Sequence, residues 1–315
     1  EEAKHNEQHP EKLTEQDAEL LPKEKFAAVE KMTEDAPKPT PAFENKGEEL
    51  VLQGYLVLSF HMVSEIMPGT SGLSPGMDFK ALMPNVVGTR PSCPTIQVAI
   101  DLIQQLNETG PLEGLINTDM LFLGGHSGGG SMALLNANPD WFPQIKGAFS
   151  YAAHSGASVI LGYPKGTVLP LNNTVPILLL GGSRDGVISA SSRRYGSEKN
   201  DPATMIRRTF VEALNHKENA PASYFILLSG ANHFSITKNT DTTAARAFLD
   251  FPEEGNSEEI RIRLLKLILA FLSESSRGQQ GALSSLVKEE SFAIEEFLCT
   301  QDYAQPIQNH GLSNS

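Results

Sequence analysis

The segment DMLFLGGHSGGGSMALLNA, residues 119–137, carries the strongest structural signal in this sequence. An apolar run ends in glycine, a Gly-x-Ser-x-Gly pattern follows at 125–129, and a stretch that can form a helix comes next. This order predicts a strand, a sharp turn at Ser127 and a helix, because a strained turn needs small residues on either side, here Gly125 and Gly129. A glycine-rich turn without a catalytic role has the same pattern, and that alternative remains open at this point.

A second Gly-x-Ser-x-Gly pattern, GLSPG at residues 72–76, is the weaker candidate. It lies in a segment rich in glycine and proline, with no predicted strand before Ser74 and no predicted helix after it. A nucleophilic serine of this kind needs the N–H of the next residue to stabilise an oxyanion, and Pro75 has no N–H. Ser127 is followed by Gly128, whose N–H lies where the predicted helix begins. We therefore take Ser127 as the candidate nucleophile.

Strand-like and helix-like segments alternate between residues 44 and 277. The strand-like segments are short, continuous apolar runs, which suit strands of a parallel sheet that is covered on both faces. Because strands that alternate with helices form βαβ units, the sequence predicts an α/β domain with a mostly parallel sheet flanked by helices. Predicted strands cover residues 55–60, 120–125, 147–152, 175–182 and 223–228, and predicted helices cover 95–107, 128–137, 203–215 and 258–274.

The two ends of the chain differ from this central domain. Residues 1–43 are rich in Glu, Lys and Pro and are expected to form an acidic tail without stable structure. Residues 278–315 are expected to form a polar C-terminal tail, in which only SFAIEEFL, at 291–298, is apolar enough for a short helix. The expected organisation is therefore a tail, an α/β catalytic domain over residues 44–277, and a second tail.

The charge of the chain disfavours several classes of partner. Its net charge is −13, and the first fifty residues hold 14 acidic but only 7 basic side chains. Nucleic acids and anionic membranes bind clustered Lys and Arg, so we expect neither as a partner. No apolar run has the length of a transmembrane helix, and no basic-then-apolar leader opens the chain, although its start at Glu1 leaves room for an upstream segment. We expect a soluble protein and assign it no compartment.

A serine hydroxyl is a weak nucleophile at neutral pH and needs a base, which in turn needs a group to orient it. Asp185 and His233 each come just after one of the last two predicted strands. The carboxyl ends of parallel strands share one rim of a sheet, so Ser127, Asp185 and His233 can meet there, in the chain order of an α/β-hydrolase triad. Two structural roles for Asp185 remain open, because it can cap the turn that follows or pair with Arg184.

Three further histidines are candidates for lining the site beside Gly128. His126 is the variable residue of the serine motif, and His61 and His154 follow predicted strands. Histidines in such positions more often have a packing role than a catalytic one, and that alternative remains open for His61 and His154. We predict that the Gly128 N–H is an oxyanion donor and that His61, His126 and His154 line the substrate site.

The segments GHSGGG, VPILLLGGSRDGVIS and GANHFSI resemble the α/β-hydrolase superfamily, particularly its dienelactone-hydrolase-like branch and its polyester or lipid esterase branch. Chlorophyllase and platelet-activating-factor acetylhydrolase share the general layout at a greater distance. The resemblance covers roughly residues 44–277 and implies that Ser127 is the nucleophile, that His233 is the general base and then the acid, and that Asp185 orients this histidine. It also implies an enzyme without a metal ion or a diffusible cofactor.

One departure from that family concerns the start of the domain. Relatives usually carry an early strand that ends in His-Gly, and the loop after this strand gives the second oxyanion donor. In this chain the segment TEDAPKPTPA stands before the domain instead. The N-terminal strands are therefore expected to be atypical or missing, which would leave an exposed sheet edge. Loss of one oxyanion donor lowers turnover by about 10²–10³, so a weakened or inactive relative stays an alternative.

These inferences predict a serine ester hydrolase that forms an acyl-enzyme on Ser127 and acts on a small-molecule carboxylic or lipid-type ester. Met and Phe side chains within residues 61–92, together with the segment 153–174, are expected to form the walls of an acyl or aromatic pocket. Two alternatives remain. One is a catalytically inactive binding protein of the same fold, and the other is an acyltransferase that uses the same triad with an acceptor other than water.

Overall fold

The described part of the protein, as a computed structural model, comprises residues 50–303 with short gaps. The predicted N-terminal tail and His61 lie outside it, and for residues 61–75 only the backbone is described. The gaps are residues 52, 61, 68–69, 75, 111, 173, 198–200, 215–219 and 239–246.

The strands and helices of this part follow one another in an alternating order. The strands are β1 (Met62–Met67), β2 (Thr70–Ser74), β3 (Leu121–His126), β4 (Ile145–Tyr151), β5 (Ile177–Gly182), β6 (Tyr224–Leu228) and β7 (Ile294–Cys299). The α-helices are α1 (Thr95–Glu108), α2 (Ser127–Asn136), α3 (Gly186–Ser191), α4 (Thr204–Arg208), α5 (Ser257–Arg277), α6 (Ala282–Leu286) and α7 (Thr300–Tyr303). A π-helical turn, Thr209–Ala213, continues α4.

Five strands form one sheet in the order β3-β4-β5-β6-β7. β3 to β6 are parallel to one another, and β7 runs antiparallel to β6. The four parallel strands coincide with four of the predicted strands, and the four predicted helices are also present as α1, α2, α4 with its π-helical turn, and α5. The predicted α/β architecture, a mostly parallel sheet with flanking helices, is therefore confirmed.

The central strands are covered on both faces, as their continuous apolar runs predict. Alternate side chains of β5 and β6, including Leu178 and Ile226, pack on one face against α5. The side chains between them, including Leu179 and Phe225, pack on the other face against α4 and the turn that follows it. All four of these side chains are fully buried, so the two central strands form the middle layer of the domain.

The C-terminal segment differs from its prediction. Residues 291–298 were predicted to form a helix, but β7 occupies Ile294–Cys299 and pairs with β6 from Tyr224 to Leu228. Ala293, just before β7, adopts φ +49°, which ends the short 3₁₀ turn ahead of it. The helix prediction was wrong because the edge of β6 offers backbone partners that local sequence does not reveal. The sheet thus continues beyond residue 277, where the sequence placed the end of the domain.

The opposite end of the sheet also differs from its prediction. Residues 55–60, predicted as a strand, belong to no strand or helix and are not part of the sheet. Leu56, Leu58 and Phe60 of this segment are 47%, 39% and 37% exposed. Among the described strands of the five-stranded sheet, β3 is therefore an edge strand, in agreement with the expected exposed edge.

Residues around Ser74 form a hairpin instead of the expected irregular loop. β1 and β2 pair antiparallel, with Met62 opposite Ser74. Ser74 thus ends a strand, contrary to the sequence prediction, but no helix follows it directly. Within the described residues, no helix combines the length and the apolar composition needed to cross a membrane.

Candidate active site

Ser127 lies at the junction of β3 and α2 and has a strained backbone. Its φ is +53°, a left-handed conformation that non-glycine residues rarely adopt and that is often found at functional sites. The turn is so tight that a Cβ atom on Gly125 would lie 2.3 Å from the carbonyl carbon and oxygen of Gly129. A Cβ atom on Gly130 would lie 2.6 Å from that of Ala153. The predicted sharp turn from strand to helix at Ser127 is confirmed.

Gly129 does not make the close contact that its motif predicts. A Cβ atom on Gly128 or Gly129 would meet no other atom within 4 Å. The close approach at this turn therefore requires glycine at 125, and the prediction that Gly129 must also be small is wrong. Gly128 is exposed and belongs to the first turn of α2, where backbone N–H groups have no partner within the helix. Such N–H groups can bind an anion, as an oxyanion site requires.

Asp185 and His233 are brought together as predicted. His233 Nδ1 lies 2.9 Å from Asp185 Oδ2, and the two residues are 3% and 0% exposed. A carboxylate can only accept here, so Nδ1 carries the hydrogen, and in the neutral imidazole Nε2 keeps a lone pair. His233 is thus arranged as a base whose orientation is fixed by Asp185.

Asp185 also has the first of the structural roles left open by the sequence. Its second oxygen, Oδ1, accepts a 2.7 Å hydrogen bond from the Ile188 N–H and caps α3. Arg184 does not pair with it, because the Arg184 guanidinium contacts Glu254 at 3.2 Å and lies over the ring of Phe251. One carboxylate therefore fixes both a helix start and a histidine.

His126 connects the serine turn to the histidine loop. Its Nε2 lies 2.9 Å from the backbone carbonyl oxygen of His233, and the two imidazole centroids are 4.6 Å apart. Because the carbonyl can only accept, His126 Nε2 is the donor. Ser127 is the next residue in the chain, so this bond joins the loop of the candidate base to the residue that precedes the candidate nucleophile. His126 is half-buried and lines the large cavity described below.

A second contact to the loop that carries His233 comes from Tyr151 of β4. The Tyr151 hydroxyl donates a hydrogen bond to the carbonyl of Asn232, the residue before His233. Burial, and the nearby charge of Asp185, raise the pKa of Tyr151 well above its ordinary value, so the phenol remains a donor. The ring of Tyr151 also stacks on that of His126 at 5.9 Å. Two side chains from neighbouring strand ends therefore hold this loop.

Asp250 contributes to the site but was not found from the sequence. Its Oδ1 accepts a 2.9 Å hydrogen bond from the Gly186 N–H, and its Oδ2 accepts a longer one, 3.4 Å, from the Phe234 N–H. These two residues directly follow Asp185 and His233, so Asp250 bridges the loops that carry the pair. Burial raises the pKa of Asp250. No motif surrounds this residue in the sequence, and only the tertiary structure reveals its position.

His154 has a packing role in this structure. Its side chain is 5% exposed, Nδ1 accepts a 3.0 Å hydrogen bond from the Gly156 N–H, and the Tyr195 ring lies 4.3 Å away. Burial lowers the pKa of His154 to about 4, so the imidazole is neutral at pH 7. It does not line the large cavity described below, and its predicted place at the substrate site stays a prediction. His61, the other histidine with this predicted role, lies outside the described residues.

A cavity of about 550 Å³ lies along the exposed edge of β3. Gly125, His126 and Gly129, which flank Ser127 in sequence, line it, whereas Ser127, Asp185 and His233 do not. Neither residues 76–92 nor residues 153–174 line it, so the described parts of the two predicted pocket walls are not its walls. Among the residues with described side chains, no group of three His, Cys, Asp or Glu residues is arranged to hold a metal ion.

The fold and site define an α/β protein with a serine at a strained strand-to-helix turn and a buried histidine–aspartate pair at the same rim of the sheet. Comparison of the chain with protein-family models and with curated proteins found no match.

Proposed function

We propose that this protein is a serine ester hydrolase with Ser127 as nucleophile, His233 as general base and Asp185 as the residue that orients the base. The observation that carries the proposal is the buried contact of His233 Nδ1 with Asp185 Oδ2, at 2.9 Å. The bond from His126 to the His233 carbonyl supports the proposal, because it joins the loop that carries His233 to the residue before Ser127, whose backbone is strained. A buried, oriented imidazole next to a strained serine is the arrangement that activates a hydroxyl.

The reaction proceeds in two steps. The Ser127 oxygen attacks the ester carbonyl while His233 Nε2 accepts the hydroxyl proton, and the tetrahedral oxyanion is stabilised by the Gly128 N–H. The C–O bond to the alcohol then breaks, and the imidazolium gives its proton to the leaving oxygen. A water molecule attacks the acyl carbon while His233 takes one of its protons. The C–O bond to Ser127 then breaks, the imidazolium gives the proton to the Ser127 oxygen, and the carboxylic acid leaves. Asp185 stabilises the imidazolium that forms in each step.

The decisive experiment compares the two serines that share the Gly-x-Ser-x-Gly pattern. Ser127→Ala is expected to lower the hydrolysis of p-nitrophenyl acetate by at least about 10³-fold and to abolish labelling by a fluorophosphonate probe. Ser74→Ala serves as the matched control and is expected to keep both activities. A fluorophosphonate adduct on the Ser127→Ala protein, or full hydrolysis by it, would refute the proposal.

A second candidate function, an inactive binding protein, is favoured by the apolar cavity at the β3 edge. Such a protein would bind an apolar ligand without turnover, and its Ser127 would not react with a fluorophosphonate. Labelling at Ser127 therefore separates the two functions without knowledge of the natural substrate. Where labelling occurs, product analysis with added alcohol separates a hydrolase from an acyltransferase, because only the latter forms a new ester in preference to the acid.

A further inference from the structure

We propose that the cavity along the edge of β3, here called the edge groove, binds the long apolar acyl chain of the ester substrate. This proposal rests on the proposed hydrolase function for the position of the ester carbonyl. The groove has a volume of about 550 Å³, within the range of about 300–1,000 Å³ typical of small-molecule sites.

The walls of the edge groove are almost entirely apolar. β3 forms its floor, where Leu121, Phe122 and Leu123 are only half-buried, in contrast to the buried side chains of β5. The two sides of the groove come from α1 and α5, through Ile96, Ile100, Ile103, Leu265, Ile268 and Leu272. Among the described residues that line it, Arg277 alone carries a formal charge. A neutral hydrocarbon chain is therefore the ligand that these walls favour.

The edge groove reaches the residues on either side of Ser127. Gly125, His126 and Gly129 line it, and so does Ile236, three residues after His233, whereas Ser127, Asp185 and His233 do not. The proposal therefore requires an acyl group bonded to Ser127 to pass His126 before its chain enters the groove.

Residues 54–60, which belong to no strand or helix, also line the edge groove. This segment is attached to the end of α5, because Arg277 Nη2 donates a 2.7 Å hydrogen bond to the Gln53 carbonyl and its guanidinium lies over the Tyr55 ring. The Tyr55 hydroxyl also lies 3.4 Å from Ser276 Oγ. Leu56, Leu58 and Phe60 line the groove beyond this attachment. The segment thus forms an apolar wall that is fixed at one end.

The floor of the edge groove lacks a side chain at Gly124. This residue of β3 is exposed. A Cβ atom on Gly124 would lie 2.2 Å from the Phe149 ring, so this position on the floor carries no side chain. Each fully buried CH₂ group contributes about fourfold to binding. We therefore expect kcat/KM to rise at least tenfold from p-nitrophenyl acetate to the decanoate.

The test fills the edge groove from α1. Ala99 lines the groove and is half-buried, whereas its neighbour Val98 is 66% exposed and does not line it. Ala99→Trp is expected to reduce the ratio of kcat/KM for decanoate to that for acetate at least tenfold. Val98→Trp, the matched control on the same helix, is expected to keep the ratio of the unchanged protein.

A binding measurement makes the result independent of turnover. Parinaric acid, a fluorescent fatty acid, is titrated into the Ser127→Ala protein with and without Ala99→Trp, and the second change is expected to weaken binding at least tenfold. If Ser127 reacts with a fluorophosphonate but Ala99→Trp alters neither the ratio nor the binding, the groove proposal is overturned and the hydrolase proposal stands. If parinaric acid binds in the groove but Ser127 does not react, the hydrolase proposal fails and the groove remains as a ligand site.

Discussion

The two halves of the candidate site are built in opposite ways. On one side, Asp185 and His233 are 0% and 3% exposed and are hydrogen-bonded to each other. On the other side, Ser127 is half-buried, Gly128 is exposed, and the strand that leads to them is an edge of the sheet. The proposed acid–base pair is therefore enclosed by protein, while the proposed nucleophile, Ser127, is more accessible.

This difference follows from what each half has to do. An ion pair that forms during a reaction is stronger where water is excluded, and burial also fixes the direction of the imidazole. A nucleophile, in contrast, must be reached by a substrate, so it belongs where the sheet is left uncovered. The comparison predicts that substitutions in the enclosed half change the rate or the pH dependence. In the open half, the effect of a substitution is expected to depend on the space around the new side chain.

The largest expected effect comes from the enclosed pair. In Asp185→Asn the new amide N–H faces His233 Nδ1, which favours the wrong imidazole tautomer, and kcat is expected to fall by about 10⁴. Stability should change little, because an asparagine oxygen can still accept from the Ile188 N–H and cap α3. The measurements are kcat on p-nitrophenyl acetate and thermal unfolding of both proteins.

The matched control for this prediction is Asp201→Asn. Asp201 also accepts a backbone hydrogen bond close to a helix start, from the Ala203 N–H at 2.9 Å, but it does not contact His233. The Asp201→Asn substitution is expected to leave kcat unchanged. A loss of less than tenfold in Asp185→Asn would show that the enclosed pair does not set the rate.

The next effect compares two glycines of the serine turn. Gly125→Ala places a Cβ atom 2.3 Å from the Gly129 carbonyl and is expected to reduce the free energy of unfolding by about 3 kcal/mol. Gly129→Ala places its Cβ atom in open space within α2 and is expected to raise it by up to about 1 kcal/mol, because alanine favours helix. Urea unfolding measures both. Equal losses in the two variants would contradict the placement of the close contact at Gly125.

The smallest expected effect concerns the pH dependence of stability. Burial lowers the pKa of His154 to about 4, whereas the imidazole of the unfolded chain has a pKa of about 6.5. Between these values the unfolded chain binds more protons, so the stability that His154 contributes is complete above pH 6.5 and is lost as the pH falls towards 4. From pH 6.5 to pH 5 the expected loss is about 2 kcal/mol.

His154→Asn tests this pH dependence, because an asparagine oxygen can still accept from the Gly156 N–H and does not titrate. Unfolding in urea at pH 8, 6.5 and 5 is expected to show a smaller loss on acidification for the variant. The values at pH 8 serve as the internal control, since the imidazole is neutral there in both states. Parallel curves for the two proteins would show that His154 is charged in the folded protein.

Much of the sheet could be predicted because its parallel strands are buried on both faces. Continuous apolar runs identify such strands without knowledge of their neighbours, and β3, β4, β5 and β6 were all found in this way. Two segments predicted as a strand and a helix, residues 55–60 and 291–298, lie at the two edges of this sheet and were predicted wrongly. Whether an edge segment forms a strand depends on an available partner strand, and for 291–298 that partner is β6, far away in sequence.

The candidate site shows the same division. The spacing of its motifs predicts Ser127, Asp185 and His233, because each lies where a strand ends and parallel strands end at one rim. The role of Asp250 and the hydrogen bond from the Tyr151 hydroxyl to the Asn232 carbonyl could not be predicted, since both depend on which loops come into contact. For His154 the sequence left a packing role open, and the burial of its side chain, which supports that role, depends on elements distant in sequence.

Local patterns in the chain are sufficient for the strained turn at Ser127, for the order of the parallel strands along the sequence and for the short list of candidate residues. The folded chain alone settles that Asp185 serves a helix and a histidine together, that β7 completes the sheet and that an apolar groove runs along β3. The physical reason is range. Backbone preferences and apolar periodicity act between near neighbours, whereas hydrogen-bond partners, burial and cavities arise from packing between residues far apart in sequence.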